Sequence, residues 1–229
     1  MQRDWHLGET DFFHGLSDEK AAFMALAKRR QVKKNEIIFF EEDDSSSCFY
    51  LETGLIKIFR IAPSGKEPIF FLRRKGEMFG LAEVTDSVVR KANAQALTPC
   101  VLYEIGRDDF ERFLSRNFRA ARNVIRILGR RLRYLGEQIG NLMVCDVGTR
   151  LIKLLVYVAY DQLGDETAWC RPVTIPVRLT QEQMAAMIGS CQQTVSDLLT
   201  QLQKEEFISI TRREITILNP LKLLHNIEQ

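Results

Sequence analysis

Apolar positions recur at three different periods along this 229-residue chain, and the changes of period divide it. From about Val32 to Ile105 the apolar runs are short, β-branched and aromatic. They are Ile37-Ile38-Phe39-Phe40, Phe49-Tyr50-Leu51, Leu55-Ile56-Lys57-Ile58-Phe59, Ile69-Phe70-Phe71-Leu72 and Val101-Leu102-Tyr103. Turn formers separate them: Glu42-Asp43-Asp44-Ser45, Pro63-Ser64-Gly65-Lys66 and Lys75-Gly76. Gly54, Gly65 and Gly76 stand 11 residues apart, the spacing of hairpin turns in a small sandwich or barrel. Ahead of these strands a helix is expected from Ser17 to Arg29, packed over the roll.

From Asp109 to about Cys145 the period lengthens. Phe118, Ala121, Ile125, Leu128, Leu132, Leu135, Ile139 and Leu142 are separated alternately by three and four residues. A mean of 3.5 is the a/d seam of a coiled coil, whereas a helix lying on its own domain drifts toward 3.6. A parallel homodimer helix is therefore expected, with Ile125, Leu128, Leu132, Leu135, Ile139 and Leu142 at the interface. Arg119, Arg122, Arg126, Arg130, Arg133, Glu137 and Asn141 line its other faces. Gly129, Gly136 and Gly140 each cost about 1 kcal/mol relative to alanine inside a helix, so close packing of a neighbour is expected there.

The third region opens with Thr180-Gln-Glu-Gln183, a capping box that starts a helix at Thr180. Gly189 ends it, and Ser190-Cys-Gln-Gln193 reads as a second capping box. Val195, Leu198, Leu199 and Leu202 give the second helix a buried stripe at i, i+3, i+4, i+7. Two capped helices joined through one glycine fit a helix-turn-helix. Phe207 to Leu218 then alternates as a hairpin, a wing whose tip carries Arg212 and Arg213 where a phosphate backbone would pass.

Composition narrows the reading. With 45% apolar and 27% charged residues the chain is globular, not disordered. A net charge of +2 does not by itself point to nucleic acid or membrane. No apolar run approaches the roughly 18–20 residues of a spanning helix, and residues 1–9 lack a signal-peptide core, so a cytoplasmic protein is expected. The five cysteines are scattered with no C-x-x-C pair, the three histidines lie near the ends, and no metal or catalytic motif is present, so neither a metal nor an enzyme is expected. Three parts follow: a β-roll over 1–108, a dimerisation helix over 109–145 and a winged helix-turn-helix over 146–229, an α+β chain.

In this order, the whole chain resembles the catabolite activator / fumarate-nitrate regulator (CRP/FNR) family of bacterial transcription factors. The resemblance rests on Gly54, Gly65-Lys66-Glu67, Gly76-Glu77-Met78-Phe79-Gly80, Gly129-Arg130-Arg131-Leu132, Asp146 to Leu151, Leu179-Thr180-Gln181-Glu182 through Gly189, Thr194-Val195-Ser196 and Leu199. It implies a jelly roll like a cyclic-nucleotide-binding domain and a homodimer whose DNA affinity switches when a small effector enters the roll. It also implies palindromic double-stranded DNA as partner, and RNA polymerase if the protein activates. The implied effector pocket lies among Phe79, Gly80, Leu81, Ala82, Arg90, Lys91, Leu135 and Gly136.

Departures from the family pattern shape the expected chemistry. Leu81 stands where cyclic-nucleotide-binding members have glutamate, Arg90-Lys91 replaces an Arg-Ser phosphate pair, and Leu135-Gly136 replaces the Thr-Ser pair that meets the purine. The expected effector is a small anionic or aromatic molecule, not cAMP. Haem is the alternative cofactor, but only Cys48 and Cys100 could ligate it in the roll, and both read as buried apolar residues. In the recognition helix, Cys191-Gln192 and Asp197 replace the family's Ser-Arg and later arginine. The DNA-contacting set is then Thr180, Cys191, Gln192, Gln193, Thr194, Ser196, Asp197, Arg212 and Arg213. Glutamine suits adenine and ionised aspartate suits the cytosine amino group. The segment Asp146–Gln229 holds 8 Lys+Arg against 10 Asp+Glu, so salt-sensitive binding is expected. Two rival readings stand beside this one: a redox regulator using Cys191 at a helix N-terminus, and a ligand-binding protein without DNA function.

Overall fold

The computed structural model describes residues 11–86, 88–164, 167–212 and 214–226; the chain forms two compact units that divide between Arg131 and Leu132. In the first, helix α1 (Ser17–Leu26) leads into strands β1 (Lys28–Val32), β2 (Ile37–Phe39), β3 (Ser47–Thr53), β4 (Ile56–Phe59), β5 (Ile69–Arg73) and β6 (Met78–Phe79). A short helix α2 (Leu81–Asp86), strands β7 (Asn93–Ala96) and β8 (Cys100–Gly106), helix α3 (Arg107–Arg116) and the start of α4 (Phe118–Val144) follow. The strands pair into two antiparallel four-stranded sheets, ordered β1-β8-β3-β6 and β2-β7-β4-β5. This is the β-roll the hairpin spacing predicts.

Strand β3 shows how the sequence layers the unit. Successive side chains of a strand point to opposite faces. Cys48 and Tyr50 join Phe12, Phe13, Phe23, Phe110, Phe113 and Val124 in the core under the helices. Phe49 and Leu51 join Ile56, Phe79, Ala94 and Leu102 in a second cluster. Both faces of β3 are therefore covered. In the first cluster Phe13, Phe23, Tyr50 and Phe113 meet mostly edge-on, at centroid distances of 5.2–6.5 Å. Burying each such side chain stabilises the unit by roughly 2 kcal/mol.

Three local expectations are corrected. The helix predicted over Ser17–Arg29 ends at Leu26, because Ala27 is extended (φ −90°, ψ 145°) and Lys28–Val32 pairs with β8. β1 is a sheet-edge strand burying only Val32, and the charges that read as a helix end are those an edge strand carries against aggregation. Asn-Ala-Gln-Ala of β7 gave no strand signal; Ala94 and Ala96 are fully buried there in the second core cluster. The helix expected from Asp109 to Cys145 is two helices. Asn117 (φ −130°, ψ 76°) breaks it, its amide donating to the Phe113 carbonyl at 2.8 Å while its own carbonyl accepts from Ala120 at 3.0 Å and starts α4.

The second unit holds the rest of α4, then α5 (Val147–Ala159), β9 (Val173–Thr174), α6 (Gln181–Ile188), α7 (Gln192–Lys204), β10 (Ile208–Thr211), β11 (Glu214–Ile217) and α8 (Pro220–His225). Asp146 caps α5, its carboxylate accepting from the Thr149 N–H at 2.7 Å. That hydrogen bond holds the Asp146 pKa below the ordinary carboxylate value. The strands form a sheet ordered β10-β11-β9. Leu151, Leu155, Met184, Ile188, Val195, Leu199, Ile208 and Ile217 are buried in this unit.

Candidate functional site

The helix-turn-helix is built by its caps. The Thr180 hydroxyl accepts from the Gln183 N–H at 3.1 Å, and the Gln183 side chain accepts from the Thr180 N–H at 2.9 Å. Both halves of the predicted capping box are thus present. Gly189 closes α6 in the left-handed region (φ 64°), where a Cβ would be strained. The second predicted box is corrected: α7 starts after Cys191, not Ser190, with no side-chain cap on the backbone. The Cys191 Sγ instead lies 3.1 Å from the Thr194 hydroxyl. This contact, with backbone N–H groups at the helix start, lowers the thiol pKa, and the side chain is exposed.

Val195, Leu199 and Leu202 turn α7 inward. Gln192, Gln193 and Asp197 are exposed, with Thr194 and Ser196 half-buried beside them. The Gln193 amide donates to the Asp197 carboxylate at 2.9 Å, so the two residues hold one another along the helix face. In the wing, Thr211 pairs with Glu214, and exposed Arg212 sits in the turn with φ 49°. Arg213 lies outside the described residues. Sequence reasoning passed over Arg178, which lies just before α6 and forms an ion pair with Glu214 on the wing strand β11. Its signal was present: a cation two residues ahead of the Thr180 cap.

In the roll, Arg90 is 1% exposed. Its guanidinium donates to the carbonyls of Gly80 (3.1 Å) and Ser47, lies 3.5 Å from the Glu83 carboxylate, and stacks over the Phe39 ring at 4.3 Å. Burial lowers its pKa and Glu83 opposes that shift. The Nε of Arg90 has no hydrogen-bond partner. Gly80 has φ 70°, and a Cβ there would come within 2.8 Å of the Arg90 guanidinium. Phe79 and Leu81 are buried, Phe79 stacking on Phe49 at 4.9 Å and Leu81 packing into the aromatic cluster under the helices. Ala82 is exposed, and Lys91 faces solvent 3.9 Å from Glu42. So Gly80 and Arg90 come together while Lys91 turns away. Leu135 and Gly136 occupy exposed positions on α4 in the second unit.

The Cys48 and Cys100 thiols are buried, and burial pushes both pKa values up, the reverse of what a thiolate ligand needs. Among the described residues no cluster of three or more His, Cys, Asp or Glu could hold a metal ion. No described helix is long and apolar enough to cross a membrane.

Helix α4 carries two apolar stripes. Ala120, Val124, Ile127 and Tyr134 are buried. The stripe with 3.5-residue spacing is exposed: Phe118 is 74% accessible, Ile125 70%, Leu132 73%, Ile139 58% and Leu142 55%, with Leu128 and Leu135 just under 40%. No described atom approaches a Cβ built at Gly136 or Gly140, so packing within the chain does not account for these two glycines.

Comparison with known proteins agrees with this arrangement. A cyclic nucleotide-binding domain matches residues 29–117, and a Crp-like helix-turn-helix domain matches 149–225. The chain belongs to the CRP/FNR family of transcription regulators. A CRP-like cAMP-activated global transcriptional regulator of Mycobacterium tuberculosis is 26% identical over 214 residues, covering 92% of this chain and 93% of the relative. A global nitrogen regulator of Nostoc is 29% identical over 177 residues, covering 76% and 78%. Among solved structures, a mutant of CooA from Carboxydothermus hydrogenoformans superimposes with a TM-score of 0.80 at 20% identity, covering 98% of this chain and 99% of that one. The c-di-GMP responsive regulator CLP of Xanthomonas campestris gives 0.74 at 18%, covering 89% and 99%. This CRP/FNR regulator therefore couples an effector-binding type of domain to a helix-turn-helix that binds DNA.

Proposed function

We propose that this CRP/FNR regulator is a cytoplasmic homodimer that binds a palindromic operator, its affinity gated by a small anionic or aromatic effector other than cAMP. The observation that carries the dimer is the exposed seam of α4. A monomer leaving that row of Leu and Ile in water forgoes roughly 1.5–3 kcal/mol for each side chain that a partner would bury. The anionic effector is supported by Arg90. Its Nε is a buried donor without an acceptor, the kind of group a ligand oxygen satisfies. The reading against cAMP rests on Leu81, packed into the core at the position where cyclic-nucleotide-binding members have glutamate.

Operator reading falls to Gln192, Gln193, Ser196 and Asp197. The Asp197 carboxylate takes one N–H of the Gln193 amide, leaving its carbonyl and second N–H for an adenine edge. Arg212, exposed in the wing turn, would meet a phosphate. Leu128→Asp with Leu132→Asp should give monomers in sedimentation at micromolar concentration and abolish operator binding. A double variant that remains dimeric would remove the seam from the proposal. Calorimetry should detect no micromolar binding of cAMP; tight binding would overturn the reading of Leu81.

A further inference from the structure

The face of α4 beside the seam carries a feature that neither DNA binding nor the roll effector uses. Arg119, Arg122, Arg126 and Arg130 follow one another at i, i+3, i+7 and i+11, a single stripe about 16 Å long at the helical rise. They form one wall of a groove of about 370 Å³, whose other wall is the segment from Asp11 to Leu16. The two walls are pinned together. The Asn123 amide donates to the Phe12 carbonyl at 2.9 Å, and Arg119 donates to the Gly15 carbonyl at 2.7 Å and pairs with Glu19 at 3.4 Å. Ile127 and Leu16, both buried, close the floor.

Among the described residues that line this groove, Asp11 supplies the one carboxylate, and it already accepts from the Phe13 N–H and from the Tyr50 hydroxyl. Among the described residues Arg126 reaches only the neutral Asn123 side chain, at 3.5 Å. Arg122 and Arg130 have no hydrogen-bond or ion-pair partner among the described residues. Like charges four residues apart on a helix repel, so 122/126 and 126/130 oppose the helix that carries them unless an anion lies between them. Guanidinium groups present planar forks that match phosphate oxygens. A concave site of this volume suits a small molecule; the convex backbone of a duplex does not enter it.

We propose that this groove is a second ligand site, separate from the roll, for a small molecule bearing two or more phosphate groups, held by Arg122, Arg126 and Arg130. The test uses the full-length protein and titrates inorganic triphosphate, adenosine triphosphate and cAMP by calorimetry at two salt concentrations. Both triphosphates should bind and weaken at higher salt, while the single charge of cAMP gives no signal at this site. Arg130→Gln, and Arg122→Gln with Arg130→Gln, should weaken triphosphate binding stepwise, the pair by about tenfold or more, with unchanged circular dichroism and a melting temperature no lower than wild type. Wild-type affinity in the double variant, or no triphosphate binding at millimolar concentration, would overturn the proposal. A non-specific duplex that binds more tightly than triphosphate, and loses that binding in the same variant, would make the groove a DNA-backbone surface and overturn the small-ligand assignment.

Discussion

In the roll, Arg90 is enclosed, its guanidinium between the Gly80 and Ser47 carbonyls and the Glu83 carboxylate. In the C-terminal unit, the Gln193 and Asp197 side chains stand in solvent and, among the described residues, bond to each other along one helix face. The two regions place polar chemistry in opposite ways, and each placement suits the partner proposed for it. A charge held away from water gives a strong, selective response to a small anion, because the surrounding dielectric is low. A set of exposed donors and acceptors suits a surface as large and as hydrated as a DNA groove. Helix α4 combines both habits, with one stripe buried and one stripe bare.

The largest test of this contrast is Arg90→Ala. It strips Glu83 of its partner and removes the guanidinium that the Gly80 and Ser47 carbonyls accept from, which should cost roughly 3–5 kcal/mol in urea unfolding. A variant as stable as wild type would mean that the roll does not depend on its internal charge. Next come paired truncations on α4. Ile127→Ala, in the core, should lose about 2–4 kcal/mol whatever the protein concentration. Ile125→Ala, on the bare stripe, should lower the melting temperature only where the dimer is diluted toward dissociation. If both behave alike, the two stripes are not different in kind. Smaller is Gln193→Ala, which should relax selection at one position per half-site by about 1–3 kcal/mol, read by selecting binding sites from random duplexes. An identical selected palindrome would remove Gln193 from base reading.

The smallest effect concerns Asp146. Its folded pKa lies below the ordinary value, so the stability its cap adds is present above the unfolded carboxylate value near 4 and fades as pH falls through the lower folded one. Asp146→Asn keeps a capping oxygen and should flatten the acid limb of the stability curve, while Asp146→Ala should cost about 1 kcal/mol at neutral pH. An acid limb of unchanged slope in the Asn variant would show that other carboxylates set it.

What the sequence reveals depends on whether one period or one cap decides the local structure. Thr180 and Gly189 each act within a few residues, and the helix-turn-helix they bound was legible from them. The exposed stripe on α4 was legible because its 3.5-residue spacing differs from that of a helix lying on its own core. The roll was less so. β1 and β7 are strands because β8, β2 and β4 lie beside them, and neither Lys28-Arg29-Arg30 nor Ala94 and Ala96 carries a β pattern of its own. The break at Asn117 was hidden because apolar spacing continues across it. At the candidate site, residue types located Arg90, but its inward orientation depends on Ser47 and Glu83, which fold together with it from separate elements. Cys191 replaced Ser190 as the cap by a one-residue shift that a capping motif does not resolve.

Only Cys145 and Asp146 separate α4 from α5, and a polar bond spans that corner: the Lys153 ammonium donates to the Asn141 side-chain oxygen Oδ1 at 2.6 Å. Leu142, one residue on, stands so close to the turn between α6 and α7 that a Cβ built at Gly189 would lie 3.3 Å from it. If these contacts hold, the tail of α4 and the helix-turn-helix would act as a single lever, with the Asn141–Lys153 bond as its weld. Over the 13 residues from Leu132 to Val144 that lever is about 20 Å long, and a tilt of only about 5° sweeps its end through roughly 2 Å. Helix shifts of about 1–2 Å at subunit interfaces are the scale on which allosteric proteins switch. Cutting the weld with Lys153→Met would leave both ends folded and the lever slack.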